Sequence, residues 1–76
     1  MELHQLEYFR VVAHLQHMTR AAETLNMSQP ALSKSIAHLE KEVGAPLFDR
    51  QGRSIVLNRY GQMLLKHAEH ILQEWD

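Results

Sequence analysis

With 76 residues there is room for one domain, and a domain this small buries a modest core that often relies on a partner for part of its apolar surface. The complete lack of cysteine excludes disulfides, thiolate catalysis and cysteine-ligated zinc. No apolar run approaches the roughly 20 residues needed to cross a bilayer, and the opening Met1-Glu2-Leu3-His4 lacks the layout of a signal peptide. A cytoplasmic protein without a membrane partner is therefore expected. Eight Lys/Arg against nine Asp/Glu give a net charge of −1, which speaks against nucleic-acid binding unless the charge is unevenly spread.

Along the chain, Leu6, Phe9, Val12 and Ala13 recur at helical spacing, widened by Tyr8, Val11 and Leu15, and predict a first helix over about 3–16. A break at Gln16-His17 precedes a short second helix over 19–25, where Ala21-Ala22 allows a neighbour to approach closely. Asn26-Met27 forms the next break, because Asn tolerates a left-handed turn. Ser28 is a good N-cap, and Pro30 lies in the first turn, where its missing N–H costs little. Leu32, Ile36, Leu39 and Val43 give the third helix one apolar face that ends at Gly44, and Pro46 prevents continuation. The period then changes. Leu47-Phe48-Asp49-Arg50 and Ser54-Ile55-Val56-Leu57, separated by Gln51-Gly52-Arg53, read as a hairpin, and Asn58 caps a last helix reaching the chain end. The order helix, helix, helix, hairpin, helix predicts a mainly α fold: a winged helix-turn-helix with a trailing dimerisation helix. We place the winged helix-turn-helix at 1–58 and the linker or dimerisation helix at 59–76.

Charge and side-chain chemistry converge on the third helix. Glu2, Glu7, Glu69, Glu74 and Asp76 lie toward the ends of the chain, whereas Arg20, Lys34, Lys41, Arg50, Arg53 and Arg59 occupy its middle. A helix entering the major groove presents its N-terminal residues to base edges. Here these are Ser28, Gln29, Pro30, Ala31, Ser33 and Lys34. Gln29 can bond the N7 and N6 edge of adenine, Pro30 and Ala31 can touch a thymine methyl, and Lys34 can reach guanine or phosphate. Ser28 and Ser33 suit phosphate contacts that set register. The recognition helix is thus placed at about 28–43 and the wing at about 47–57.

Thr19 to Leu39 reads TRAAETLNMSQPALSKSIAHL. The pattern T-x-A-A-x-x-L-x-x-S-Q-P-A-L-S-x-x-I-x-x-L-E, continued by V-G-x-P-L-F-x-R-x-x-R and preceded by Leu6-x-Tyr8-Phe9-x-x-Val12-Ala13, resembles the LysR-type transcriptional regulators over nearly the whole chain. The resemblance implies sequence-specific binding of double-stranded DNA, with no enzymatic activity, by a homodimer on an interrupted palindrome, and leaves tetramers open to a full-length protein. It also implies a wing along the DNA, with Arg53 bordering the minor groove, Arg50 near a phosphate and Thr19 among the contacts. A small effector, if one exists, belongs to a C-terminal domain outside these residues, so no cofactor is expected in this domain. Three positions depart from the family pattern. Gln16-His17-Met18 replaces a glycine, serine, aromatic lead-in, so that Thr19 must cap the second helix or leave it weakly capped. Asn58 exchanges one N-cap type for another, and Tyr60 replaces alanine before Gly61.

In the last helix Gly61, Leu65, Ala68, Leu72 and Trp75 form a coiled-coil seam, with Leu64 and Ile71 to one side. We expect Leu65, Ala68, Leu72 and Trp75 to face a partner copy, and Leu64 and Ile71 to face the domain. The end at Trp75-Asp76 carries no helix stop signal and reads as a truncation. His14/His17 and His67/His70 are spaced i, i+3 on helix faces, but neither pair has a third ligand, and no metal site is expected. Two alternatives are another winged-helix family, such as the MarR-like regulators, which lack the SQPALS helix, and a pure protein-interaction module, favoured by the net charge.

Overall fold

The computed structural model describes residues 1–52 and 54–75, without the side chain of Trp75. Its elements are α1 (Leu3–Leu15), α2 (Met18–Thr24), α3 (Gln29–Val43), β1 (Phe48–Gln51), β2 (Ser54–Leu57) and α4 (Arg59–Trp75). α1 buries Leu6, Phe9, Val12 and Ala13, as their spacing predicts, and packs against α2, α3 and α4 in turn. Leu15 at its end is 42% exposed instead of joining the stripe. Ala21 and Ala22, both buried, let α2 lie close to its neighbours. α3 contributes Leu32, Ile36 and Leu39 to the core, whereas Val43, expected inside, is 39% exposed. Its helix ends at the next residue, where Gly44 takes a left-handed φ of 85°.

The two strands pair antiparallel, Phe48 opposite Leu57 and Gln51 opposite Ser54. The strands are too short for a second core; the inward groups are Leu47, fully buried, and Ile55, which join the single cluster built on α1 and α3. Leu47 is also a crossing point of hydrogen bonds. Its N–H donates to Glu40 Oε2 at 2.7 Å and its carbonyl accepts the Asn58 N–H at 3.0 Å, so one residue ties the end of α3 to the start of α4. Asn58 completes the junction as the expected N-cap, accepting the Gly61 N–H at 2.8 Å while its amide donates to the Pro46 carbonyl at 2.7 Å.

α4 corrects the expected assignment of its two edges. Ala68 and Leu72, expected at a partner interface, are 0% and 2% exposed and belong to the domain core, while Ile71, expected inside, is 46% exposed. Leu64 and Leu65 both pack half-buried at its margin. The reason is the line of small residues: Gly61 and Ala68 share the Leu65/Leu72 edge, so this edge can approach α1 and the hairpin most closely. Gly61 is under the tightest constraint. A Cβ there would lie 2.3 Å from the Leu47 carbonyl oxygen and 2.5 Å from Leu57 Cδ1, far inside van der Waals contact and partly against backbone, which cannot swing aside.

Gly61→Ala should therefore lower stability by about 1–3 kcal/mol through overpacking, despite alanine's better helix propensity. Urea unfolding checks this, and a variant as stable as the parent would refute the close approach.

Candidate nucleic-acid interface

α2 and α3 meet through a tight turn in which Asn26 adopts a left-handed φ of 56°. Ser28 then caps α3, its Oγ accepting the Ala31 N–H at 3.2 Å. Because Leu32, Ile36 and Leu39 face the core, the opposite side of the first turns is presented to solvent. Ser28, Gln29, Pro30, Ala31 and Lys34 are all exposed there and Ser33 is half-exposed. The Gln29 amide is oriented: its Nε2 donates to Ser33 Oγ at 3.1 Å, one turn on. That leaves one amide N–H and Oε1 of Gln29 free to point outward, a donor and an acceptor side by side.

The start of α2 is capped by a residue outside the sequence expectation. His17 Nδ1 accepts the Arg20 N–H at 3.2 Å, so the ring takes the place of the missing serine and Thr19 stands exposed within the first turn. Only an unprotonated ring nitrogen can accept this bond. His14 and His17 consequently do not share a helix face, because α1 stops at Leu15 and Gln16 turns left-handed with φ 49°. His14 Nε2 instead lies 2.6 Å from Glu69 Oε1 of α4. Gln16 bridges to the wing, its Oε1 accepting the Leu57 N–H at 3.1 Å. Nothing in the residue pattern signals either link, since each depends on a loop position meeting an element distant in sequence. His67 and His70 are both exposed on α4, and among the described residues no three metal-ligating side chains come together.

On one flank of α3, Ser33, Ala37 and Glu40 share a recess of about 160 Å³ with Met18 of α2 and Arg50 of β1. The wing is thus brought alongside the exposed end of α3, with Arg50 in solvent. Arg53 lies outside the described residues, as does the side chain of Trp75. The other flank was not anticipated as part of the site. Lys34, His38 and Lys41 line a groove of about 510 Å³ with Ala31 and with Gln5 of α1; their spacing of four then three was the available signal. Beside it, the Met1 ammonium lies 2.9 Å from Glu42 Oε2 and holds that carboxyl below its ordinary range.

A turn-linked helix pair with an exposed second helix and a flanking hairpin is the arrangement expected from the sequence. Residues 3–62 match the family described as bacterial regulatory helix-turn-helix protein, lysR family. The chain belongs to this family. It is similar to the uncharacterized HTH-type transcriptional regulator YybE of Bacillus subtilis (strain 168), with 55% identity over 75 residues, 99% of this chain and 26% of that protein. It is also similar to the SDS degradation transcriptional activation protein of Pseudomonas sp. (strain ATCC 19151), with 45% identity over 93% of this chain and 23% of the relative. The chain thus spans about a quarter of the length of these relatives. Among solved structures, the BenM DNA-binding domain in complex with catB site 1 DNA superposes with a TM-score of 0.94 at 37% identity, covering 100% of this chain and 84% of that one. The CbnR DNA-binding domain–DNA complex superposes with 0.91 at 38% identity, covering 96% and 84%. This LysR-family domain is accordingly a winged helix-turn-helix of the DNA-binding, transcription-regulating type, and its relatives are regulators rather than enzymes.

The His17 cap makes a prediction of its own. His17→Ala should destabilise the domain by about 0.5–2 kcal/mol, and His17→Ser should restore most of the loss, because a hydroxyl can accept the same N–H. Thermal unfolding of the two variants decides it; equal stability of His17→Ala and the parent would show that the ring is not acting as a cap.

Proposed function

We propose that this domain reads double-stranded DNA by placing the N-terminal half of α3 in the major groove. The observation that carries this reading is the outward row Ser28, Gln29, Pro30, Ala31 and Lys34 on a helix whose other side is locked into the core. Ser33 holds one N–H of Gln29, and the remaining N–H and Oε1 match the N7 acceptor and N6 donor of adenine. Pro30 and Ala31 offer apolar contact to a thymine methyl. Lys34, Ser28 and Thr19 supply phosphate or base contacts, and the wing, with Arg50 and Arg53, follows the backbone toward the minor groove. The setting is the cytoplasm, where bacterial chromosomal DNA lies, and the role is transcriptional regulation. Residues 1–58 carry DNA recognition and 59–76 the coupling to a second copy. A small-molecule effector would bind in the length that the relatives have beyond this domain.

The burial of Ala68 and Leu72 moves the proposed partner contact to the other edge of α4. Tyr60, Met63 and Ile71 are 53%, 58% and 46% exposed on α4, and this face, with Leu64 at its margin, is the one left for a partner's helix. A two-fold pair of domains addresses an interrupted palindrome, and further pairing in a longer protein gives tetramers.

The base-reading role is tested by selecting bound sites from random duplexes. Gln29→Ala should relax preference at one base pair and cost about 1–3 kcal/mol on the cognate site. Ser33→Ala should blunt the same preference less, since it frees the amide without removing it. An unchanged selected sequence for Gln29→Ala would refute direct readout by this residue.

The dimer is tested by a contrast between neighbours. Ile71→Glu should leave a folded monomer whose affinity for paired half-sites, about 34 Å or a multiple apart, falls roughly a hundredfold or more while single half-site binding holds. Leu72→Glu should unfold the domain by burying an unpaired carboxylate. Sedimentation and circular dichroism read both, and an Ile71→Glu protein that remains dimeric would remove this face from the interface.

A further inference from the structure

α3 has two flanks, and on the one away from the wing the reading above uses only Ala31 and Lys34. A helix with its side chains is about 10–12 Å across and the major groove about 12 Å wide. A helix seated in that groove therefore has a phosphate strand on each side. The flank toward the wing carries Ser33 and Glu40 and meets Arg50, with Ala37 between the two flanks. The opposite flank carries Lys34, His38 and Lys41, which line a continuous groove with Gln5 of α1. Lys34 and Lys41 are both exposed and lie roughly 10 Å apart at 1.5 Å per residue. Each strand carries one phosphate per about 3.4 Å of duplex axis. The stripe is thus long enough to meet more than one of them.

Charge on this helix is arranged to match. α3 contains two carboxylates, Glu40 and Glu42. Glu40 is turned to the wing side, where its Oε2 accepts the Leu47 N–H at 2.7 Å. Glu42 stands at the far end of the stripe, where its oxygens meet the Met1 ammonium at 2.9 Å and His38 Nε2 at 3.5 Å. Among the described residues, those lining the groove include no acid. Gln5 Oε1 accepts the Glu2 N–H at 2.9 Å, which directs its amide donors away from the helix end. A cationic strip with amide donors and no facing carboxylate fits a phosphodiester backbone.

We propose that Lys34, His38 and Lys41, with Gln5 at the foot of α1, form a second phosphate track that grips the DNA strand opposite the one followed by the wing. The proposal rests on α3 being the groove-entering helix and adds the residues that hold its far side. It also accounts for DNA binding by a chain of net charge −1: the cations are few, but they are placed where both strands run.

The test is a salt titration of the full chain on a random-sequence duplex and on a selected site. Each phosphate contact contributes about 0.9 to the slope of log affinity against log salt. Lys41→Gln should reduce the slope by about that amount on both duplexes and leave the selected sequence unchanged, and Lys41→Arg should restore it. Lys66→Gln removes the same charge from α4, which packs on α1 and the wing, and should leave the slope at its original value. A parental slope for Lys41→Gln, or an equal drop for Lys41→Gln and Lys66→Gln, would overturn the track. Failure of groove entry itself is seen separately, as a Gln29→Ala protein with unaltered base preference.

Discussion

Every helix of this domain is positioned by the need to cover α1. Phe9 and Val12 have no exposed surface and Leu6 and Ala13 almost none, because α2, α3 and α4 all pack against this one helix. At roughly 25 cal/mol per Å² of apolar surface, burying such side chains is worth about 1.5–3 kcal/mol each. The consequence for function is geometric. Once Leu32, Ile36 and Leu39 have been committed to α1, the remaining side of α3 must face water, and that side carries the short polar and cationic groups.

The second organising point is Leu47, whose buried side chain and two backbone bonds hold α3, the hairpin and α4 in fixed relation. Because the hairpin springs directly from this residue, the wing is delivered to a set place beside α3, with Arg50 next to Ser33 and Ala37. Gly61 shows how closely the parts approach, with no room for a single Cβ beneath the Leu47 carbonyl. Gln16 adds a polar strut from the α1–α2 turn to Leu57. These links hold three local motifs in one fixed arrangement.

The same packing leaves a remainder. α4 has apolar residues over more of its circumference than one small domain can cover, and the surplus at Tyr60, Met63 and Ile71 stays in solvent.

The sequence by itself determined the element order, the caps at Ser28, Asn58 and Gly44, the core residues Leu6, Phe9, Val12 and Ala13 of α1 and Leu32, Ile36 and Leu39 of α3, and the row of residues presented by α3. These follow from local rules: spacing at 3.6 residues per turn, the φ preferences of Asn and Gly, and side chains that bond backbone within three residues. Tertiary structure alone decided which edge of α4 faces inward, because Leu64/Ile71 and Leu65/Leu72 recur with the same period and lie about 100° apart around the helix. Periodicity cannot rank two adjacent stripes; the small residues Gly61 and Ala68, which permit the closer approach, do so through their neighbours. The Gln16 strut and the Lys34–His38–Lys41 groove were decided at the same level, since a bond from Gln16 to Leu57 and a groove completed by Gln5 depend on elements brought together only when the chain closes around α1. The His17 cap is as local as the others, but a ring nitrogen is outside the usual set of capping side chains.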